Sequence, residues 1–390
     1  MDWHLECSAC GTNYPPDGLP GVCGNCGKPL LVRYPLRTHA VKDRAEVRRG
    51  SGMWRYRTFL PLKADEEPIT LGEGDTPLLA APRLASALNL GDLWIKDEAA
   101  NPTGSFKARG LSAAVTRAVH GGATGFTLPT AGNAGVAASA YAARAGMPVR
   151  VFAPRTTPTT ILSQIVSFGG DLVLIDGHIG DCGRASRAYA ADTGAVDLST
   201  LREPYRIEGK KTLALEIAMQ MNWMLPAAII YPTGGGTGLI GMWKGFQELK
   251  AAGWIVGALP RMYSVQAEGC APIVRAFEAG ADEAEAWHDP KTAASGLRVP
   301  AALGDALILR AIRESGGSAV AVAEETLIDL AGFTTREEGI DCSPEGGAAV
   351  AGALELKRRG ELADDEPVIV FNTGAGWLYR DPAQLLAARG

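Results

Sequence analysis

A lysine follows a turn-forming segment at residues 101–110, which read NPTGSFKARG. Asparagine, proline and glycine form the turn, and Ser105 and Phe106 stand between it and Lys107. Most lysines are solvated surface charges. A lysine held against a Gly-Ser-Phe turn can instead point inward, where partial burial makes its neutral amine more available as a nucleophile. Lys107 is therefore a candidate for covalent catalysis.

A glycine-rich loop is predicted within residues 231–246, which read YPTGGGTGLIGMWKGF. The glycines follow an apolar run and precede a helical pattern, so backbone N–H groups can converge on an anion at the positive end of the helix. The spacing is neither the GxxxxGK[ST] pattern of a Walker A loop nor a clean GxGxxG dinucleotide motif. The loop indicates a phosphate site, with a plain structural turn as the alternative.

Two further turns carry polar groups. Residues 129–146 (PTAGNAGVAASAYAARAG) contain a strand-to-helix turn of small and polar residues, namely Thr130, Ala131, Gly132 and Asn133. Such a turn can offer N–H donors to a carboxylate, although Asn and Thr are also ordinary helix N-caps. Residues 371–379 (FNTGAGWLY) end a buried strand at Thr373 and two glycines, for which the alternative is a simple strand-ending turn.

Four of the seven cysteines form two CxxCG knuckles within residues 1–36, and they are Cys7, Cys10, Cys23 and Cys26. Each CxxC turn can place two thiolates on one metal, and four thiolates suit a closed, tetrahedral structural zinc site. So short a segment needs such a crosslink to hold a core. A redox pair, or a ribbon that no longer binds metal, is the alternative. Catalysis at this zinc is not expected, because four cysteines leave no open coordination position.

The composition is that of a globular protein with two or three domains. The chain has 390 residues, of which 46% are hydrophobic and 21% charged, and its net charge is −5. This charge argues against nucleic acid as a partner, and no apolar run approaches the roughly 18 residues of a membrane span. The N-terminal residues lack the pattern of a secretory signal, so we expect the protein in the cytoplasm.

Short apolar runs alternate with amphipathic helical patterns from about residue 76 onward. The predicted strands cover 93–98, 125–130, 148–154, 171–176, 227–232, 261–269 and 367–376. The predicted helices include 108–120, 132–146 and 159–170. This alternation predicts an α/β fold with parallel sheets covered on both faces.

The order of these motifs resembles that of the fold type II pyridoxal-phosphate enzymes, and among them the threonine synthases. NPTGSFKARG is the most specific element, and PYRIEGKKT at residues 204–212 favours threonine synthases over serine/threonine dehydratases. The similarity covers about residues 70–380. It implies two doubly wound parallel-sheet domains after a zinc-ribbon-like segment. The predicted ranges are 1–36 for the ribbon, 37–105 with 205–390 for the large domain, and 106–204 for the small one.

The resemblance also implies a role for each matching cofactor residue. Lys107 would bind pyridoxal 5'-phosphate covalently and move substrate protons, while Ser105 and Phe106 would shape the pocket wall. The cofactor phosphate would be bound by the glycine loop, that is, by Gly234, Gly235, Gly236, Thr237 and Gly238. Asn133 would hydrogen-bond the phenolic oxygen and Thr373 the pyridine nitrogen, where a hydroxyl does not enforce a protonated ring as a carboxylate would.

The resemblance further implies two sets of substrate-binding residues. Its carboxylate would be bound by Thr130, Ala131 and Gly132. Arg206 and Lys211 are candidates for a substrate phosphate, because both are basic and arginine can bind phosphate bidentately. A role in surface salt bridges is the alternative for these two side chains.

The activity implied is the conversion of O-phospho-L-homoserine and water to L-threonine and phosphate. A second hypothesis is a sister enzyme, such as a cysteate synthase, a serine/threonine dehydratase or a diaminopropionate ammonia-lyase. A third is a non-catalytic protein that binds a partner through its ribbon, against which Lys107 argues. The expected partners are a small amino-acid substrate and a second copy of the chain, since homodimers are common in this fold.

Overall fold

The computed structural model describes residues 2–36 and 44–380. Its strands are β1 (His4–Cys7), β2 (Asn13–Tyr14), β3 (Leu30–Arg33), β4 (Leu78–Ala80), β5 (Asp92–Asp97), β6 (Phe126–Pro129), β7 (Val149–Pro154), β8 (Asp171–Ile175), β9 (Val196–Asp197), β10 (Ala228–Pro232), β11 (Arg261–Ala267), β12 (Ala319–Val322) and β13 (Pro367–Asn372). Every predicted strand is therefore present. The last one ends at Asn372, earlier than predicted, because the glycines that follow form a turn.

The α-helices are α1 (Arg44–Arg49), α2 (Pro82–Leu88), α3 (Lys107–His120), α4 (Asn133–Arg144), α5 (Thr159–Ser167), α6 (Ile179–Thr193), α7 (Tyr205–Gln220), α8 (Thr237–Ala251), α9 (Pro272–Glu278), α10 (Asp305–Ser315), α11 (Glu324–Glu338) and α12 (Pro344–Arg358). Short 3-10 helices cover Met53–Phe59, Glu98–Ala100, Pro102–Gly104, Ser295–Leu297 and Gly376–Leu378. Among the helices of residues 2–36 and 44–380, none combines the length and the apolar composition that a membrane span needs.

The chain divides into two compact units. Unit 1 comprises Met1–Asp75, Lys107–Trp223 and Ile240–Gly257, and unit 2 comprises Thr76–Phe106, Met224–Leu239 and Ala258–Gly390. This division groups the cysteine segment and α7 with unit 1, whereas the sequence ranges set the ribbon apart and placed α7 in the large domain. The three-part domain scheme stays a prediction. Residues 37–43, which the predicted ranges place at the start of the large domain, lie outside the described ranges.

Unit 1 contains a parallel sheet with the strand order β8-β7-β6-β9 and a separate antiparallel sheet with the order β2-β1-β3. Both contribute to one apolar cluster, because Leu5 and Val32 of the small sheet belong to the same core as Leu111 of α3 and Val151 of β7. The cysteine segment thus packs on the core of unit 1, since a three-stranded sheet of this size buries little apolar surface by itself.

Unit 2 is built on a six-stranded sheet with the order β12-β11-β10-β13-β5-β4. The five strands from β12 to β5 are parallel, and only β4 at the edge runs antiparallel. The central strands are buried on both faces, as a helix-covered parallel sheet requires. The predicted α/β class with parallel sheets is confirmed, and the ends of β5, β10 and β13 carry three of the motifs.

Candidate active site

The turn before Lys107 is held by a buried carboxylate. The Glu98 side chain accepts hydrogen bonds from Thr76 Oγ1 at 2.5 Å and from Asn101 Nδ2 at 2.8 Å. Beyond Asn101 the backbone of Thr103 takes a φ of 62°, which is unusual for a residue with a side chain. Such strain persists where the surrounding structure enforces it, and it is typical of functional turns. This turn is therefore fixed before the chain reaches Lys107.

The structure brings this turn together with the Thr373 segment within unit 2. Phe106 N donates to Thr373 O at 3.0 Å, and Ala375 N donates to Gly104 O at 2.8 Å. The Ser105 side chain is fully buried, and its Oγ has no hydrogen-bond partner among the described residues. A buried hydroxyl without a partner is costly unless a ligand or water satisfies it. The predicted pocket residues of unit 2 therefore adjoin Thr373.

An aromatic cluster joins the glycine loop to the same place. The Tyr231 ring, near the end of β10, lies 6.1 Å from the Phe106 ring and 5.1 Å from the Phe371 ring, centroid to centroid, in edge-to-face geometry. The hydroxyl of Tyr231 would stand 2.0 Å from a Cβ added at Gly238, so only glycine fits there. Three segments that are far apart in the sequence thus meet in unit 2.

The glycine loop connects β10 to α8. Gly236 has a φ of 77°, in the left-handed region that favours glycine. A Cβ at Gly234 would lie 2.1 Å from Gly296 O, so this backbone is also closely packed. Thr237 begins α8, and the positive end of a helix together with converging N–H groups suits an anion. The loop fits a phosphate group.

Thr373 is oriented by its neighbour Asn372. The Asn372 Oδ1 accepts from Ser343 N and from Ser343 Oγ, both at 3.1 Å, and its Nδ2 donates to Asp97 Oδ1 at 2.9 Å. Burial raises the pKa of the Asp97 carboxyl, although the Asn372 amide partly offsets this effect. The residue before Thr373 is therefore tied to the ends of both β5 and α12.

Lys107 is the first residue of α3 in unit 1 and is half-buried. The other predicted ligand-binding turn of this unit is also well ordered by its own contacts. Thr130 Oγ1 accepts from Gly132 N and from Gly135 N, both at 3.1 Å. Asn133 follows as the first residue of α4 and is buried. The Thr130 side chain thus shapes the turn, while Ala131 and Gly132 are partly exposed there.

Arg206 and Lys211 lie on α7 and are both buried, so the surface alternative does not describe them. Lys211 Nζ donates to Glu208 Oε2 at 2.5 Å and to Glu248 Oε2 at 2.8 Å. Arg206 Nη1 donates to Leu198 O at 2.8 Å, whereas its Nε and Nη2 have no hydrogen-bond partner in the described part of the chain. Burial lowers the pKa of both side chains.

The four cysteines of the N-terminal segment form one cluster in unit 1. Their sulfur atoms all lie within 4.8 Å of one another, with Cys7 and Cys23 buried and Cys10 and Cys26 exposed. The Tyr14 hydroxyl lies 3.1 Å from Cys23 Sγ, and this hydrogen bond lowers the pKa of the Cys23 thiol to about 6. The arrangement has the donor set and compactness of a four-thiolate metal site.

Sequence reasoning missed Glu73, a fully buried residue that organises α4. Its carboxylate accepts from Trp54 Nε1 at 2.9 Å, from Leu71 N at 3.0 Å and from Tyr141 Oη at 2.5 Å. Tyr141 lies on α4, the helix that begins at Asn133. The only local signal was the turn-rich sequence GEGDTP around this acid. Glu98 was also missed, because its partner Thr76 lies 22 positions away and the nearby Asn101 was taken only as part of the turn.

Comparison with known proteins agrees with this geometry. A family model described as "Pyridoxal-phosphate dependent enzyme" matches residues 69–374, and the chain belongs to this family. Its enzymatic nature and its use of pyridoxal phosphate follow from that membership. Within unit 2, the glycine loop and the buried Ser105 hydroxyl without a hydrogen-bond partner among the described residues fit a phosphorylated cofactor. Within unit 1, Lys107 is half-buried, as a lysine that forms a covalent bond requires.

The relatives with similar sequences include threonine synthases, a narrower class within this family. The threonine synthase of Methanosarcina acetivorans is 34% identical over 98% of this chain and 94% of its own length. The threonine synthase of Mycobacterium tuberculosis is 34% identical over 84% of this chain and 88% of its own. Among solved structures, maize serine racemase has a TM-score of 0.70 at 21% identity and covers 80% of this chain and 91% of its own. That structural likeness shows the fold, and the two relatives show a resemblance to threonine synthases along the chain.

Proposed function

We propose that this enzyme is a threonine synthase, which converts O-phospho-L-homoserine and water to L-threonine and phosphate. The observation that carries the proposal is the similarity to threonine synthases over 98% of the chain. The second candidate is a sister lyase of the same family that acts on another β- or γ-substituted amino acid. The residues that fit the cofactor are compatible with both candidate activities. Analysis of the reaction products must therefore distinguish a threonine synthase from a sister lyase.

The residues of unit 2 would hold the cofactor. Pyridoxal phosphate supplies an electron sink for negative charge on the substrate carbons. The N–H groups from Gly234 to Gly238 would bind its phosphate at the start of α8. Thr373 would contact the pyridine nitrogen through a hydroxyl, and Phe106 would form part of the wall. The hydrogen bonds of the Asn372 side chain and the hydrogen bonds of Glu98 in the turn before Ser105 support these positions.

The residues of unit 1 would bind and convert the substrate. Lys107 would attach the cofactor covalently, and its amine would remove and return the substrate protons. Asn133 would donate to the phenolic oxygen, and the turn at residues 130–132 would bind the substrate carboxylate. Arg206 is the better supported candidate for the substrate phosphate, because two of its nitrogens have no partner in the described ranges, whereas two carboxylates pair with Lys211.

The decisive experiment is turnover of O-phospho-L-homoserine by the purified protein, with threonine and phosphate measured together. We expect equal amounts of both products and a change in the visible absorbance of the bound cofactor. Lys107→Ala should lower the rate by at least about 100-fold, since a positioned proton-transfer group contributes roughly 10²–10⁴-fold. Lys250→Ala, at the exposed end of α8, is the matched control and should retain full activity.

Two results would reject this assignment. An unchanged cofactor spectrum with this substrate, combined with turnover of serine, threonine, phosphoserine or diaminopropionate, would favour the sister-lyase alternative. A full rate in Lys107→Ala would remove the catalytic role of this lysine whichever substrate is used.

A structural zinc ion in the cysteine cluster is part of the same proposal. The cluster supports it by its four sulfur ligands within 4.8 Å. We also propose a cytoplasmic homodimer that acts on a free amino acid, without nucleic acid or membrane as partner. Zinc-binding thiolates must stay reduced, and the cytoplasm is a reducing compartment, which supports this location. The net charge of −5 supports the exclusion of nucleic acid as a partner.

A further inference from the structure

Glu345 is a buried acid at the beginning of α12 to which the proposed chemistry assigns no role. It lies in the segment CSPEGGAAV and is 3% exposed. Ser343 is the N-cap of α12, with its side chain accepting from Gly346 N at 3.1 Å. The positive end of the helix favours a carboxylate in this first turn. The position therefore suits an acidic side chain in the first turn of α12.

The carboxylate of Glu345 holds a backbone group of another segment. Its Oε1 accepts from Gly296 N at 2.7 Å, in the short 3-10 helix Ser295–Leu297. A Cβ at Gly296 would lie 2.8 Å from the same oxygen, so the carboxylate packs directly on this glycine. A distance of 2.7 Å lies at the short end of the range for N–H···O hydrogen bonds, so the contact is close. Glu345 thereby fixes the orientation of the Gly296 peptide group.

The other side of that segment packs against the glycine loop. A Cβ added at Gly234 would lie 2.1 Å from the Gly296 carbonyl oxygen, which is too close for any side chain. The start of the loop is held separately, since Thr233 O accepts from Gln266 Nε2 at 3.1 Å and Thr233 N donates to Val265 O at 2.8 Å. Gly234 is thus the point at which the wall formed by Gly296 touches the loop.

We infer that Glu345 is a positioning residue for the phosphate-binding loop, acting through Gly296 on Gly234. The carboxylate anchors Gly296, and the Gly296 carbonyl limits the space available to Gly234. The direction of the loop N–H groups then depends on this contact, because a backbone without a Cβ has a wide range of accessible conformations. The inference rests on the proposed phosphate-binding role of the loop, but not on which amino acid is the substrate.

The test compares two ligands that differ only in the phosphate group. The cofactor-free enzyme is titrated with pyridoxal 5'-phosphate and with pyridoxal, and binding is followed by absorbance. In Glu345→Ala we expect the Kd for pyridoxal 5'-phosphate to rise at least about tenfold, while the Kd for pyridoxal changes less than about twofold. Glu345→Gln keeps an acceptor for Gly296 N and should stay within about threefold of the parent for both ligands.

Asp305→Ala is the matched control. Asp305 also lies in the first turn of a helix, α10, and its Oδ2 accepts from a backbone amide, Ala284 N, at 2.8 Å. Loss of this bond should reduce stability without changing the ratio of the two dissociation constants. If Glu345→Ala fails to fold, Glu345→Asp replaces it, since the shorter side chain keeps the charge but withdraws it from Gly296 N, and the same selective loss is expected.

Gly234→Ala separates failure of this inference from failure of the loop assignment. A selective loss of pyridoxal 5'-phosphate binding in Gly234→Ala, with no selective loss in the alanine and aspartate variants of Glu345, would overturn the role of Glu345 alone. An unchanged ratio in Gly234→Ala would show that the loop does not bind the phosphate, and both assignments would fall. Equal weakening of both ligands by Glu345→Ala would make its effect merely structural and would likewise reject the inference.

Discussion

Glu203 shows how burial changes the pKa of a single carboxyl group in unit 1. Its carboxylate accepts from Tyr205 N at 2.7 Å and from Arg206 N, and the side chain is only 4% exposed. Burial raises the pKa of this carboxyl from 4.5 to about 7, although the Arg206 charge and the two backbone N–H groups act in the opposite direction. The neutral form is therefore favoured below about pH 7. Glu203 lies just before α7, three residues before Arg206, which is proposed to bind the substrate phosphate.

A pH-dependent stability follows from this pKa. Because the folded state binds the proton more tightly than the unfolded chain, this stabilisation is complete below about pH 4.5 and is lost as the pH rises through about 7. We expect the free energy of unfolding of the parent to fall by roughly 3 kcal/mol relative to Glu203→Gln between these limits. Urea unfolding at a series of pH values measures this difference.

The control for this experiment is Glu278→Gln, at an exposed position of α9. Its stability should follow that of the parent at each pH. Parallel curves for the parent and Glu203→Gln would show that the Glu203 carboxyl does not retain its proton in the folded state.

Helices α3 and α7 pack closely against each other in unit 1. Both helices are buried nearly along their whole length, and both carry a glycine at the crossing. A Cβ at Gly209 of α7 would lie 2.0 Å from Arg109 O, and a Cβ at Gly110 of α3 would lie 3.1 Å from Arg206 O. The two backbones therefore approach closely, and the position of Arg206 depends on this packing.

Gly209→Ala should destabilise the protein although alanine is the better helix former. The added methyl group meets backbone that cannot rotate away, and overpacking of this kind costs roughly 1–3 kcal/mol. Gly332→Ala in α11 is the matched control, since its Cβ would meet only the flexible end of Arg336 at 3.2 Å. There a gain of up to about 1 kcal/mol is expected. Thermal unfolding of both variants decides the matter, and an unaffected Gly209→Ala protein would contradict the close contact.

The cysteine segment, residues 1–36, is joined to the rest of unit 1 by hydrogen bonds and ring contacts. Tyr34, just after β3, donates to Glu208 Oε2 on α7 at 2.7 Å, and its ring lies 4.2 Å from Lys211 Nζ. Tyr205 Oη donates to Pro16 O at 3.3 Å. The segment therefore contacts the helix that carries the two candidate phosphate-binding residues, and its integrity bears on that helix.

Metal analysis of the purified protein should find one zinc ion per chain. Cys10→Ser should lose it, because one of four ligands is removed at an exposed position where packing changes little. We expect the unfolding temperature of this variant to fall by roughly 5 °C, since the segment has few core residues of its own. Cys182→Ala, outside the cluster, should retain the metal. Equal zinc contents in the two variants would argue against the four-cysteine site.

The elements and the family were predictable from the amino-acid sequence. Strands, helices and the turns at their junctions depend on local patterns, and for this reason β5 to β8 and the motifs ending at Lys107, Gly238 and Thr373 were predictable. The alternation of strands with helices also fixes parallel pairing, because parallel strands need a crossover. The knuckles of the cysteine segment are equally local.

The distant residues that support these motifs could be identified only in the folded chain. The distant partners of Glu73 are Trp54 and Tyr141, and Glu345 reaches Gly296 across 49 positions of the sequence. Arg206 was a candidate for the substrate phosphate from the sequence, and the burial of α7 in unit 1 excluded the alternative of a surface salt bridge. A hydrogen bond between residues far apart in the chain leaves no periodic trace, because it depends on how elements pack and not on the spacing within any one of them.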